Sequence, residues 1–201
     1  MQLNLAHTVA PSWANGPGAR AVLFLQGCSL GCKGCHNPHT WDSSPKHVRE
    51  VAQVIDWYKS QPGLRGITLS GGEPFEQAAP LAIVCQAVHE LGGDVVAFSG
   101  FCHDELLSEV RLGARLLLAN VDLLIDGRYI ASEPCTEPLR GSQNQRLIFL
   151  SSRICSDELT GIPRREWLGH EDRGHVSGFD IHHTAQLLAN WRVNKKERNR
   201  P

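Results

Sequence analysis

The chain has 201 residues, 41% of them apolar, with 20 basic residues against 21 acidic ones and a net charge of −1. That length suits one domain with a real hydrophobic core, and the composition excludes a disordered chain. The balanced charge gives no electrostatic reason for a nucleic-acid partner, and the basic end NKKERNRP (194–201) reads as a frayed tail, not a binding arm.

The start, MQLNLAHTVAPSW, lacks the basic-then-apolar pattern of a signal peptide. No window approaches the roughly 18 apolar residues of a membrane span, so the expectation is a cytoplasmic protein with no membrane partner. AVLFLQG (21–27) predicts a buried strand, bounded by GPG before it and a cysteine-rich loop after it. KHVREVAQVIDWYKS (46–60) carries Val48, Val51, Ile55 and Tyr58 at helical spacing and stops at Pro62-Gly63. GITLSGG (66–72) predicts a second strand and PLAIVCQAVHELGG (80–93) a second helix.

DVVAFSGF (94–101) predicts a third strand, HDELLSEVRLGARLLLAN (103–120) a third helical region, VDLLIDG (121–127) a fourth strand and RLIFLSS (146–152) a fifth. This alternation implies right-handed βαβ units, a parallel sheet and an α/β fold. No linker or change of composition divides the chain, so 1–201 reads as a single domain. Its core spans about 15–155, followed by an extension, 156–201, of unknown role in which only HTAQLLANWRV (183–193) looks helical.

In such a fold, functional residues gather at the carboxyl ends of the strands. The cysteine loop follows the first strand, GGEP (71–74) the second and SGF (99–101) the third, while Asp126-Gly127 ends the fourth. Four unusual loops on one face point to a shared site.

The chain has seven cysteines, an odd number, and three of them crowd into GCSLGCKGCHNP (27–38). In a reducing compartment that pattern fits metal binding better than a disulfide framework. Cys28, Cys32 and Cys35 have the form C-x3-C-x2-C, with Gly27, Gly31 and Gly34 letting the backbone wrap a bulky ligand. A structural zinc site needs four protein ligands, which His36 or His39 would have to complete, although His36 directly follows Cys35. A [4Fe–4S] cluster held by three thiolates instead leaves one iron open to a non-protein ligand, the mark of a reactive cluster. Unrelated buried cysteines are the third alternative. Cys85, Cys102, Cys135 and Cys155 stand singly and read as small hydrophobes.

C-x3-C-x2-C after a first strand, with GGEP after the second, resembles the radical S-adenosylmethionine superfamily. The resemblance implies an open, partial TIM-like β/α barrel, one [4Fe–4S] cluster on Cys28, Cys32 and Cys35, and S-adenosylmethionine chelating the open iron. Gly71, Gly72, Glu73 and Pro74 match the family's segment for the methionine amino group, the two glycines exposing backbone groups to the ammonium. Ser99 lies where related enzymes bring polar groups to the cofactor, although Ala97-Phe98 stand where formate-lyase activases carry an Asp-Thr pair. Asp126, a charged end to an apolar run, is either a cofactor contact or a turn-forming or helix-capping carboxylate.

CHNPHTW (35–41) and VDLLIDGRYI…LRGSQNQRLI (121–148) resemble the activating proteins of anaerobic ribonucleoside-triphosphate reductase. That family implies an activase that cleaves S-adenosylmethionine to a 5′-deoxyadenosyl radical and leaves a glycyl radical on a partner enzyme. Its electron donor would be of the flavodoxin or ferredoxin type. Arg140, Ser142, Asn144 and Gln145 are the candidate contacts for the partner's main chain, their amide, hydroxyl and guanidinium groups being suited to an extended peptide. The rival readings are a small-molecule radical enzyme resembling the 7-carboxy-7-deazaguanine synthases, and a non-catalytic electron-transfer protein.

Overall fold

The computed structural model describes residues 1–108, 113–170 and 173–178. Strands β1 (Gln2–Ser12), β2 (Arg20–Leu25), β3 (His47–Glu50), β4 (Gly66–Gly71), β5 (Asp94–Phe98), β6 (Leu123–Asp126) and β7 (Arg146–Phe149) form one sheet in the order β3-β1-β2-β4-β5-β6-β7. β2, β4, β5 and β6 are parallel neighbours. The outer strands β3 and β7 do not pair with each other, so the sheet stays open. The α/β class stands, with the parallel arrangement confined to the centre of a mixed sheet.

Helices α1 (Val51–Lys59), α2 (Ala78–Glu90), α3 (His103–Leu107) and α4 (Ala114–Leu118) connect successive parallel strands. They cover one face, where Leu23, Ile67, Leu69, Val95, Ala97 and Leu124 pack against Val54, Leu81, Cys85, Leu106 and Leu117. Alternate residues face the other way: Val96, Leu123 and Ile125 meet Leu139, Ile154 and Leu159. The fully buried central strands follow from coverage on both sides. Truncating Leu69, which has no exposed surface, to alanine would cost about 2–5 kcal/mol.

Three elements differ from expectation. β1, the longest strand, is an antiparallel partner of β2, with register shifts between Leu5 and His7 and between Val9 and Ser12 that interrupt its alternation. Residues 47–50, expected at the start of a helix, pair instead with Gln2–Leu5 of β1, and Val48 is exposed. The helix begins at Val51, where the Gln53 side chain accepts a hydrogen bond from the Glu50 N–H at 3.0 Å. β7 runs antiparallel to β6 because no crossover helix separates them.

The expected third helical region is divided. Ser108 is extended after α3, and Gly113, at φ +82°, precedes α4. Beyond β7, Ile154, Leu159 and Ile162 cover the face opposite the helices. A hairpin of β8 (Arg165–His170) and β9 (Arg173–Gly178) follows, tied to the end of β1 through Glu166, which accepts from the Ser12 hydroxyl and the Trp13 N–H. The helix expected at 183–193 and the basic end lie outside the described residues.

Candidate functional site

Gly27 to Trp41 leave β2 and return as a closed loop. Gly27 N–H donates to the Thr40 carbonyl at 2.8 Å and Cys28 N–H to that of Trp41 at 3.1 Å. The Thr40 hydroxyl donates to the Asn37 carbonyl at 2.8 Å, and the Gln26 amide to that of Asp42. Within the loop, Cys35 N–H donates to the Cys32 carbonyl at 3.0 Å, and Asn37 N–H points at the Cys35 sulfur at 3.3 Å. Glu76, just beyond GGEP, accepts from the Ser29 N–H at 3.0 Å and from its hydroxyl, holding the Cys28 end to the start of α2.

The turn after β4 fits beneath this loop. Gly72 N–H donates to the Leu25 carbonyl at 2.8 Å and Glu73 N–H to that of Gly27 at 2.9 Å. A Cβ on Gly72 would sit 2.1 Å from the Gly27 oxygen, so no side chain fits. Close contact between two strand ends is therefore a reason for glycine here. Pro74 is buried at the start of a short 3-10 turn, Pro74–Gln77.

Glu73 is 1% exposed and joins two strand ends. Its carboxylate accepts from Phe75 N–H at 3.0 Å, the Ser99 hydroxyl at 2.9 Å and Gly100 N–H at 2.9 Å. Burial pushes its pKa up to about 7, because the three donors offset only part of the lost hydration. The Cys28 thiol is pushed up to about 11, first by burial and then by the charges of Glu73, Glu76 and Cys32. Metal binding at Cys28 must therefore displace a tightly held proton.

These pieces enclose an open cleft of about 700 Å³, partly continuous with solvent. Cys28, Cys32, Cys35, Gly71, Gly72, Glu73, Ser99 and Gln145 all line it, together with Leu30, Phe98, Gly100 and Tyr129. Among the described residues, no three His, Cys, Asp or Glu side chains converge on a single ion. Three thiols around one cleft, without convergence on a point, fit a bulky cluster in which each sulfur meets a different iron. The glycine backbone opposite them leaves room for a second ligand.

Asp126 stands apart from the lining. Its buried carboxylate is bound by Arg146, with Nε at 2.9 Å, and accepts from the His103 N–H at 2.7 Å, so it locks β6 to β7 and caps α3. These are the contacts of a turn-stabilising, helix-capping carboxylate, the second of the two expected roles. The polar loop after Leu139 is likewise engaged within the protein. Arg140 pairs with Glu137, and the Ser142 hydroxyl donates to Asn144 Oδ1 at 2.7 Å. Asn144 Nδ2 donates to the Arg128 carbonyl at 2.8 Å, and Gln145 Nε2 to that of Gly127 at 3.1 Å. Asn144 and Gln145, two of the candidate partner contacts, thus clamp the exit of β6 through its backbone carbonyls. Only Gln145 of the four also lines the cleft.

Sequence reasoning missed Glu76 and Tyr129. Glu76 carried the signal of an acidic residue in the first turn after a proline, and Tyr129 that of an aromatic two residues past Asp-Gly.

A family model described as a 4Fe-4S single cluster domain matches residues 14–148. The chain is similar to the anaerobic ribonucleoside-triphosphate reductase-activating protein of Vibrio cholerae, 36% identical over 142 residues that cover 65% of this chain and 88% of that protein. The protein of that name from Enterobacteria phage T4 is 32% identical over 146 residues, covering 67% and 86%. Among solved structures, QueE from Escherichia coli aligns at a TM-score of 0.46 and 16% identity, covering 66% of this chain and 74% of that one, a likeness too slight to bear on activity.

Proposed function

The chain belongs to the anaerobic ribonucleoside-triphosphate reductase-activating proteins of the radical S-adenosylmethionine superfamily, and we propose that its cleft generates the glycyl radical of such a reductase. The observation that carries this reading is the meeting of Cys28, Cys32, Cys35, the Gly71-Gly72-Glu73 turn and Ser99 in one cleft at the carboxyl ends of β2, β4 and β5. A [4Fe–4S] cluster held by Cys28, Cys32 and Cys35 would supply the electron for reductive cleavage of S-adenosylmethionine, the radical chemistry needed to remove hydrogen from a glycine of the partner.

The chain's own work is binding, orientation and exclusion of water. Cys28, Cys32 and Cys35 would hold the cluster. Backbone groups of Gly71 and Gly72 receive the cofactor's ammonium, while Glu73 holds that turn against Ser99 and Gly100; Pro74 starts the turn behind it. No side chain is required as a general acid or base. The open side of the cleft is closed by the partner's glycine-bearing loop, meeting a rim framed by Gln145 with Arg140, Ser142 and Asn144 behind it. A flavodoxin- or ferredoxin-type protein supplies the electron. The whole chain acts as one domain in the reducing cytoplasm, which suits seven cysteines that are all free thiols.

The test is anaerobic mixing of reconstituted, reduced protein with S-adenosylmethionine and purified reductase. A glycyl radical signal by electron paramagnetic resonance, with release of 5′-deoxyadenosine and methionine, is the expected result. No radical on the reductase, with turnover of a small metabolite instead, would overturn the activase reading.

A further inference from the structure

Three segments meet along one rim of the cleft: Gly34 and His36 on either side of Cys35, residues 129–131 beyond β6, and the loop 140–146. A Cβ on Gly34 would lie 3.1 Å from the Ala131 Cβ and 3.6 Å from the Tyr129 ring. The rings of His36 and Tyr129 are 4.6 Å apart, tilted by 59°. Residues 129–131 therefore rest on the cysteine loop at the two residues that flank Cys35.

The two ends of that loop are held differently. The Cys28 end is anchored by backbone bonds to Thr40 and Trp41 and by Glu76 on Ser29. Cys35 bonds locally, to the Cys32 carbonyl and from the Asn37 N–H. Packing from outside the loop comes from Tyr129 and Ala131, whose segment belongs to no strand or helix. Besides the bonds of Gly127 N–H to the Phe101 carbonyl and of Glu133 N–H to the Ile130 carbonyl, its backbone is held by side chains. Asn144 Nδ2 donates to the Arg128 carbonyl, Gln145 Nε2 donates to the Gly127 carbonyl, and the Ile130 N–H donates to the Ser142 hydroxyl at 3.1 Å. The clamp is itself preset, because Gly141 and Ser142 N–H donate to Gln145 Oε1 at 2.8 and 3.2 Å, and Ser142 donates to Asn144.

We propose that Ser142, Asn144 and Gln145 are positioning residues that act through Tyr129, whose ring, resting on Gly34 and His36, braces the Cys35 arm of the cluster loop. The inference rests on the assignment of the cluster to Cys28, Cys32 and Cys35. It gives the polar loop a role that needs no partner: it sets how firmly the third cysteine is held.

The test is the rate at which the anaerobically reconstituted protein loses iron to a chelator, read with the resonance spectrum of the reduced cluster. Tyr129→Leu should release iron about tenfold faster and alter the spectrum, as loss of an outer support does at other metal sites. Tyr129→Phe, which keeps the ring, should match the wild type. The double variant Asn144→Ala/Gln145→Ala should behave like Tyr129→Leu, and adding it to Tyr129→Leu should bring no further acceleration. Wild-type release by Tyr129→Leu, or effects that multiply when the changes are combined, would overturn the proposal. Should the clamp variant fail to fold, Tyr129→Leu against Tyr129→Phe decides alone: equal release by the two would also overturn it. A wild-type protein that assembles no cluster refutes the cluster assignment instead, a distinguishable failure.

Discussion

At the amino ends of the parallel strands, Arg20, Arg65 and Asp94 meet in a buried ionic knot. At the carboxyl ends of the same strands, the backbone is glycine-rich and few side chains intrude. Arg20 has no exposed surface; it pairs with Asp94 at 2.6 Å and donates to Thr68 at 2.8 Å and to the Pro17 and Ile67 carbonyls at 3.0 and 2.9 Å. Arg65 continues the knot to Asp94 and Glu158, both at 2.7 Å. Every charge there has a partner. At the other end Glu73 is buried with hydrogen-bond donors but no cation among its partners, and Cys28 keeps its proton well above neutral pH. The comparison teaches that one end holds the strands together while the other keeps reactive groups accessible to ligands that bring their own charge.

The sharpest way to break this contrast is to remove one of the three loop cysteines proposed to hold the cluster. Alanine at Cys28, Cys32 or Cys35 should abolish iron binding and activity, whereas alanine at Cys85, Cys102, Cys135 or Cys155 should leave iron content intact. Iron and sulfide analysis after anaerobic reconstitution is the check, and the melting temperature of the apoprotein should barely move in the first three.

The amino end should respond in the opposite way. Arg20→Ala leaves Asp94 with an unfilled cavity and one cation fewer, and should cost about 3–5 kcal/mol in denaturant unfolding. Arg20 lies far along β2 from the cysteine loop, so variant protein that remains folded should still take up iron.

A smaller effect is pH-dependent. The folded state holds the Glu73 proton up to about pH 7, against an ordinary value of 4.5. The group's contribution to apoprotein stability is therefore fully present below pH 4.5 and is lost as pH rises through 7. Glu73→Gln should flatten that part of the curve and make the apoprotein relatively more stable above pH 7. A profile identical to wild type between those limits would contradict the buried, proton-holding carboxyl.

The smallest change concerns the loop's anchored end. Glu76→Gln weakens the acceptor for Ser29, and the Ser29 amide should exchange with solvent a few-fold faster, corresponding to about 1 kcal/mol. Unchanged exchange would mean that backbone bonds to Thr40 and Trp41 suffice.

Much of this site could be read from residue order. The buried run 21–27, the glycine-glycine pair and the strand ends at 99 and 126 are local signals, and the βαβ rhythm brings their loops to one face. Direction and partnership were less legible. β1 hides its strand pattern behind two register shifts, and residues 47–50 take strand form only because β1 lies beside them. Nothing in RLIF (146–149) distinguishes an antiparallel strand from a parallel one. Whether Asn144 and Gln145 face a partner or their own backbone depends on where residues 127 and 128 lie, which is a tertiary fact. Asp126 illustrates the same limit: its charge was conspicuous, but its partner, Arg146, comes from a strand whose direction the sequence did not disclose.

The most direct test of the central claim is the electron paramagnetic resonance spectrum of the reduced, reconstituted protein before and after S-adenosylmethionine is added. On the proposed assignment, three cysteines would leave a four-iron cluster one position for a non-protein ligand in the cleft that Gly71 and Gly72 also line, so the cofactor should change the cluster's spectrum. A spectrum that S-adenosylmethionine leaves unchanged, in protein with full iron content, would contradict the account.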